Sequence, residues 1–428
     1  MRTLICDRPR AELESLGDEA PFDLAFCLED LAGDALECPV GPRSDVAGRL
    51  VAALGQSKEL WIAARSFYGQ ASAPVMRALE LSIRREQAIV HVDETKANMD
   101  EKGRREAGCS EIHLWLYGVD EASYEERGLA KMLAARLASQ LDADLAECRV
   151  IDRFDLGLLN QLGALPRRGA TPRPEAAHQQ EAAAAALRGG PTEPIATKGT
   201  ARAIALLDAG PEGGAAHALL DDFEDALLAY DRLSSRTLGV SGETEPPRFA
   251  RIHRRPHDAA DAPPSSISAC DVLVIGYPVS FGALPSHLVR TLDDWTGAKR
   301  IAVGTRVYAI GTTDDCDPGS AHLSLEVLRL LCADSGLAWG GGLCVAGAAA
   351  VASFAQTERM GWKRRGRSEA TDHLIGAVRA GLTIAEAARR FGSTDTLALS
   401  NIIDAPCPLP RWAYKLVRDR LARRPYRP

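Results

Sequence analysis

The chain has 428 residues, too many for one ordinary hydrophobic core, so its length predicts two domains of comparable size. Its net charge of -7 argues against nucleic-acid backbone binding as the main activity, and ten cysteines without a CxxC pair do not form a secreted disulfide framework. The N-terminus, MRTLICDRPR, has no apolar run long enough for a signal peptide. We therefore expect a soluble, cytoplasmic protein without nucleic-acid or membrane partners.

The first half of the chain alternates strand-like and helix-like segments. Apolar runs predict strands, and segments with apolar residues at helical spacing predict helices. Strands are predicted at Arg2–Cys6, Phe22–Leu28, from Glu59, at Glu111–Gly118 and at Asp144–Ile151, and helices after Asp7, from Ser44 and at Tyr124–Leu141. Strands and helices that alternate along the chain in this way indicate a parallel, doubly wound sheet with right-handed crossovers.

In such a sheet, ligands bind at the carboxyl ends of the strands where the strand order reverses. The loops of the first half that meet this condition are 7–10, 65–69 and 118–122. A phosphate can meet Arg8, Arg10 and the helix amides in the first of these loops. A plain capped helix explains the same residues equally well, because the loop has no glycine and no hydroxyl residue. We expect the first half to bind no cofactor.

The segment from Pro166 to Gly199 has the composition of a linker. It is rich in Pro, Gly, Ala and Gln and contains no aromatic residue. We therefore predict one domain over 1–165, a linker over 166–200, and a second domain with a helical C-terminal extension over 201–428.

The second half opens with a strand, a glycine-rich turn and a helix. The strand at Ala201–Gly210 is followed by PEGGAAHALLDDFEDALLAY, which becomes a long amphipathic helix. Free amides at the start of a helix and the helix dipole both favour a phosphate. A glycine turn alone is a weak signal, and its place after the first strand of the domain strengthens it. The candidate anion-binding residues are Gly210, Pro211, Glu212, Gly213, Gly214 and Ala216.

A second candidate loop lies within Cys270–Trp295, which predicts a buried strand, a short loop and an amphipathic helix. The loop PVSFGALP offers backbone groups to a planar ring, with Phe281 as a stacking face and Gly282 permitting close approach. An ordinary strand-to-helix turn with a packed Phe281 is an equally good interpretation. The candidate residues are Pro278, Val279, Ser280, Phe281 and Gly282, with Thr312 and Thr313 at the next strand end.

An earlier stretch, Lys58–Glu80, has the same layout as Cys270–Trp295. Setting Ala63 on Gly276 aligns the two stretches without a gap. Matched pairs in that register include Ile62 with Ile275, Tyr68 with Phe281, Gly69 with Gly282, and Arg77 with Arg290. The shared order of strand, aromatic–Gly loop and helix predicts an internal duplication of a whole domain.

The C-terminal part of the chain adds a glycine-rich segment and several helices. The uncharged segment 336–355 approaches membrane-spanning length, but its Gly and Ala content predicts a final strand and a glycine-rich turn instead. The helix in TDHLIGAVRAGLTIAEAARRFG superficially resembles a DNA-reading motif, although packing against its own domain or a partner subunit is the better interpretation. Basic residues clustered near the C-terminus are expected to form a solvated surface.

Between Ala201 and roughly Ala350, the chain resembles the flavodoxin-like NAD(P)H-dependent FMN reductases, a group that includes the iron–sulfur flavoproteins. The resemblance is carried by ALLDAGPEGGAAHALLDDF, DVLVIGYPVSFGALPSHLVRTLDDW and RVYAIGTTDDCDPGSAHLSLEVLRLLCADSG, and more faintly in the first half by ELWIAARSFYGQASAPVMRALE. It implies two tandem flavodoxin-like doubly wound domains. FMN would be held by its phosphate at the first loop of the second domain, with its ring along 278–282. NAD(P)H would supply the hydride, so flavin and nicotinamide nucleotides are the expected partners and no catalytic side chain is named.

The sequence departs from that family at two places. The family's phosphate loop is rich in Ser, Thr and Asn, whereas only glycine and alanine hold the matching positions within 210–216. Cys27 and Cys38 are too few for an iron–sulfur cluster, and His253 and His257 lack a carboxylate partner, so neither cluster nor metal is expected. A non-catalytic scaffold and a one-electron carrier stay open as alternatives, as do a homo-oligomer and pairing of the two domains within one chain.

Overall fold

The structure is a computed structural model, and it describes residues 1–9, 11–12, 22–28, 45–81, 109–153, 203–237, 248–254, 265–354, 361–390 and 401–422. The chain divides into two compact units, Met1–Arg188 and Gly189–Pro428, which are described separately. The predicted linker, 166–200, lies entirely outside the described residues. The predicted domain boundaries therefore stay predictions.

The first unit is built on one parallel sheet. Its elements are β1 (Arg2–Cys6), β2 (Leu24–Cys27), α1 (Asp45–Gln56), β3 (Glu59–Phe67), β4 (Gln70–Ala71), α2 (73–81), β5 (Glu111–Tyr117), α3 (Tyr124–Gln140) and β6 (Asp144–Ile151). The strands run in the order β2-β1-β3-β5-β6 with every neighbouring pair parallel, and the short β4 pairs antiparallel with β3. Counted over the parallel strands, this is the 2-1-3-4-5 order of the flavodoxin-like fold.

The second unit repeats that plan. Its elements are β7 (Ala203–Asp208), α4 (Ala215–Thr237), β8 (Arg248–His253), α5 (Ser265–Ser268), β9 (Val272–Pro278), α6 (Ser286–Gly297), β10 (Arg306–Thr313), a 3-10 turn (Pro318–Ala321), α7 (His322–Asp334), β11 (Ala338–Ala346), α8 (Ala348–Phe354), α9 (Gly361–Ala380), α10 (Ile384–Arg390), β12 (Ile402–Ala405) and α11 (Arg411–Ala422). The sheet order is β12-β11-β10-β9-β7-β8, all parallel. The prediction of two tandem α/β, doubly wound parallel-sheet domains is confirmed.

The central strands of the second unit are apolar runs because helices cover both faces of a parallel sheet. Every residue of β10 is buried, as is every residue of β9 except the last. Helix α4 contributes one apolar face to this core through Leu219, Leu220, Phe223 and Leu227. Leu220 packs tightly against Gly276 of β9, where a Cβ would lie 2.6 Å from the Leu220 side chain.

The glycine-rich segment after Leu337 is a strand in the structure, and it is not the final strand. The predicted turn does not lie at Gly340, Gly341 and Gly342, because β11 runs through these three glycines, whereas Gly347, with a φ of +73°, follows the end of β11. The prediction that this is the final strand is wrong, because β12 pairs beside it. A Cβ at Gly340 would lie 2.5 Å from the Tyr308 ring, and one at Gly342 would lie 2.5 Å from Leu325. The glycines therefore make room for neighbouring side chains within the sheet.

The C-terminal helices of the second unit pack against their own sheet. Leu374 and Val378 of α9 and Ile384 of α10 are buried in the same apolar core as Leu343 of β11 and Ile403 of β12. This arrangement agrees with own-domain packing, the first of the two interpretations given for that segment. Among the described helices, none combines the length and apolar character needed to cross a membrane.

Candidate functional site

Three predicted loops of the second unit lie at one edge of its sheet. Strands β7, β9 and β10 are neighbours and parallel, so their carboxyl ends meet at that edge. Strand β7 has β8 on one side and β9 on the other, which makes this edge the switch point of the sheet. The structure therefore brings 210–216, 278–282 and 312–313 together. Ligand contact at these residues stays a prediction.

The first of these loops is a tight turn that leads into α4. The amide of Gly214 donates to the Pro211 carbonyl at 2.8 Å, and Gly213 has a φ of +71°. A Cβ at Gly214 would lie 2.8 Å from Pro211 Cγ, so a side chain does not fit there. At Gly213 a Cβ would meet no atom within 4 Å, and only the positive φ favours glycine. The remaining side chains of the turn, Pro211 and Glu212, are exposed.

The main chain of this loop fits a phosphate group. The amide of Ala218 donates to Gly214 at 3.0 Å, so Ala215 and Ala216 precede the first residue that donates within the helix. Their amides and the dipole of a 23-residue helix are suited to an anion. The amide of Gly210, in contrast, donates to the Asp208 carboxylate at 3.1 Å. With no hydroxyl residue in the loop, the fit is through the main chain alone.

A cluster of charged side chains, which sequence reasoning missed, lies beside this turn. Asp208 is fully buried, and its Oδ2 lies 2.8 Å from Arg251 Nη2. The same oxygen lies 2.6 Å from His217 Nδ1 and 3.2 Å from His253 Nδ1. Arg251 and His253 are two residues apart on β8 and therefore share one face of the strand. That spacing was the only sequence signal for the cluster, because the partner Asp208 is set by the pairing of β7 with β8.

The second predicted loop contains a tight hairpin. Ser280 and Ala283 exchange two backbone hydrogen bonds, of 3.0 and 2.8 Å, and the residues between them have φ values of +55° and +79°. Positive φ at both central positions is the pattern of a type I′ turn. Phe281 is 6% exposed, so its ring packs largely within the protein. The amide of Val279 donates to Thr312 at 2.8 Å, which ties this loop to β10.

The hydroxyl groups of the third predicted pair are engaged within the protein. Thr312 Oγ1 donates to the Tyr277 carbonyl at 3.3 Å. Thr313 Oγ1 lies 2.9 Å from the hydroxyl of Ser320 and accepts from the amide of Asp315 at 3.2 Å. Both threonines therefore stand at the predicted strand end, where the Thr312 hydroxyl bonds to the neighbouring strand β9 and the Thr313 hydroxyl bonds to the loop that follows β10.

Comparisons with known proteins add little to this geometry. No protein-family model matches the chain, and no curated protein matches it. Among solved structures, the Trp repressor binding protein from Bacillus subtilis is 15% identical, with 36% of this chain and 98% of that chain covered and a TM-score of 0.26. The flavodoxin, WrbA-like protein from Agrobacterium tumefaciens is 10% identical, with 32% and 76% covered and a TM-score of 0.24. The fold assignment rests on the strand order itself.

At the corresponding edge of the first unit, one carboxylate bonds to groups from several segments of the chain. Asp7, just after β1, accepts from the Arg65 amide at 2.8 Å and from the hydroxyls of Ser72 and Tyr117. Burial raises the pKa of Tyr117, and the Asp7 carboxylate raises it further. The side chain of Asp7 therefore links the carboxyl ends of β1, β3 and β5. The three loops considered for ligands in this half begin at these strand ends. Residue 10, also considered there, lies outside the described residues.

Proposed function

We propose that the second unit is an FMN-dependent oxidoreductase that takes electrons from NAD(P)H. The observation that supports this function best is the convergence of three loops at the switch point of a flavodoxin-like sheet, with a glycine turn and a helix N-terminus as the first of them. Such an edge is where open α/β sheets bind nucleotide cofactors.

In this proposal the three loops contact or support different parts of the FMN molecule. The amides of Ala215 and Ala216 would hold the phosphate, and Gly213 presents no side chain to it. The loop from Pro278 to Gly282 would line the flavin ring, and the end of β10 holds that loop through the hydrogen bond from the Val279 amide to the Thr312 carbonyl. When bound, FMN supplies the hydride-accepting chemistry, and the protein supplies binding and orientation.

One observation favours the non-catalytic alternative, a partner-binding protein without FMN. The buried Asp208 carboxylate accepts a hydrogen bond from the Gly210 amide, so that this amide does not bind an anion, and it places a negative charge beside the loop. An anion near that carboxylate is repelled unless the charge is balanced. Arg251, 2.8 Å from Asp208, provides one balancing charge, which is why we favour the cofactor-binding function.

The first experiment is a titration of the full-length protein with FMN, followed by flavin absorbance and quenching of FMN fluorescence. We expect saturable uptake of one FMN per chain, and oxidation of NADH or NADPH by the loaded protein with ferricyanide as acceptor. A protein that is colourless as purified and takes up no added FMN would overturn the proposal. Uptake without NAD(P)H oxidation would support the electron-carrier alternative instead.

A further inference from the structure

Three side chains beside the glycine turn converge on one point. Asp208 comes from the end of β7, His217 from the first turn of α4, and His253 from the end of β8. One carboxylate oxygen and one nitrogen from each ring all lie within 4.8 Å of one another. We propose that Asp208, His217 and His253 form a binding site for a divalent transition-metal ion.

Two of the three separations between the ligand atoms are close to those of a metal site. Ligand atoms 2.1 Å from one ion and at right angles to each other are separated by about 3 Å. Asp208 Oδ2 lies 2.6 Å from His217 Nδ1 and 3.2 Å from His253 Nδ1, so the observed separations bracket that value. Two imidazoles and one carboxylate on one side of an ion form a facial triad that leaves its other positions open. His253 is 51% exposed, so the open side faces solvent.

The charge of the cluster favours an added cation. The carboxylates of Asp208, Asp221 and Glu224 surround a single guanidinium, that of Arg251, to which Asp221 is hydrogen-bonded and Glu224 lies at 3.6 Å. Three negative charges and one positive charge leave these four side chains with an excess of two negative charges when the imidazoles are neutral. A divalent ion offsets that excess.

Arg251 is the group that an ion must displace from Asp208. Its Nη2 lies 2.8 Å from Asp208 Oδ2 and 3.1 Å from His217 Nδ1, while its Nη1 is held by Asp221. The Asp221 contact can remain when Nη2 moves away. Asp221 Oδ2 also lies 3.6 Å from His217 Nε2, while Nδ1 of the same ring faces Asp208.

The ligand set selects the kind of ion. Imidazole nitrogens with one carboxylate suit Zn²⁺, Fe²⁺ and Co²⁺, whereas Mg²⁺ and Ca²⁺ prefer oxygen ligands throughout. In the sequence, His253 has ligand-like spacing with His257, which lies outside the described residues. Its partners in the structure are 36 and 45 residues earlier in the chain, at His217 and Asp208.

The test is isothermal titration of Zn²⁺ into full-length protein that has been treated with EDTA and freed of flavin. We expect His217→Ala and His253→Ala each to weaken one zinc site at least about tenfold, as loss of a ligand should. Mg²⁺ should give no binding heat, and His373→Ala, an exposed histidine on α9, should bind zinc as the wild type does.

Equal zinc affinity in the wild type and both histidine variants would overturn the proposal, as would the absence of zinc binding. Matching thermal unfolding of the His253→Ala variant and the wild type would establish that the exposed substitution leaves the fold intact. Because flavin is absent from this experiment, its result is independent of FMN uptake, and either proposal can fail without the other.

Discussion

Asp208 is the residue at which the cofactor and metal proposals meet. Its Oδ1 accepts from the Gly210 amide at 3.1 Å, and its Oδ2 faces Arg251, His217 and His253. A buried carboxylate is stable only when it is paired or bound to a cation. Either Arg251 or a metal ion can neutralise Asp208, and in both cases the neighbouring turn becomes more favourable for an anion.

His113 in the first unit is a half-buried histidine whose ring stacks on a tryptophan. Its ring centre lies 3.8 Å from that of Trp61, with 2° between the two planes. The carboxylates of Glu111 and Glu147 approach its nitrogens only to 4.0 Å. Burial lowers the pKa of His113 below its ordinary value, and the charges of Glu147 and Glu59 offset this effect only in part.

We expect the first unit to lose stability in acid because of His113. Unfolding exposes the ring and returns its pKa to about 6.5, so the unfolded chain gains a proton that the folded chain does not. The free energy of unfolding is therefore unaffected above that pH and falls below it. His113→Phe keeps the stack and removes the titration. Hydrogen-exchange protection of β5 should fall less in the variant than in the wild type between about pH 7 and about pH 5. An equal fall in both would show that other groups are responsible.

At the scale of elements, the two units share one hairpin. In the first unit Phe67 pairs with Gln70, and in the second Ser280 pairs with Ala283. The central residues are Tyr68 and Gly69, with φ of +52° and +84°, and Phe281 and Gly282, with +55° and +79°. These are the positions that the ungapped register matches. The agreement of turn geometry supports the predicted duplication more strongly than the few shared residues do.

Gly69 and Gly128 offer a matched pair of substitutions in this part of the fold. A Cβ at Gly69 would lie 2.6 Å from the Glu126 carbonyl and 2.8 Å from Leu129, and the residue has a positive φ. Gly69→Ala should therefore destabilise the first unit by more than about 2 kcal/mol. At Gly128, inside α3, a Cβ meets nothing within 4 Å, so Gly128→Ala should stabilise the helix by about 0.5–1 kcal/mol. Hydrogen exchange in β3 and α3 measures both effects. A neutral Gly69→Ala variant would contradict the close packing of this turn against α3.

The sequence predicted elements better than it predicted contacts between them. Unbroken apolar runs placed β1 at its observed bounds, and helical spacing placed α3 to within one residue of its end. The strand β11 was misread because its glycines follow from the side chains of Tyr308 and Leu325, which no local pattern reveals. The charge cluster at Asp208 was missed for the same reason, since it depends on strand pairing and on where α4 begins.

At the scale of the whole molecule, the first five parallel strands of the two units have the same order, but the residues at the switch-point edge of the sheet differ. In the first unit Asp7 bonds at the switch point to the Arg65 amide and to the hydroxyls of Ser72 and Tyr117. In the second unit the equivalent edge carries the glycine turn and a helix N-terminus. We propose that this second edge, and not the first, binds the phosphate of FMN through its main chain.

The most direct test of that claim is the affinity of two variants at Gly213 for FMN. Asp and Asn tolerate a positive φ better than other side chains, and a Cβ at Gly213 has open space, so Gly213→Asp and Gly213→Asn differ in charge alone. Gly214 is unsuitable, because any side chain there would displace Pro211. Quenching of FMN fluorescence should show binding at least about tenfold weaker for Gly213→Asp than for Gly213→Asn, through repulsion of the phosphate. Equal affinities for the two variants would contradict the account and place the phosphate elsewhere.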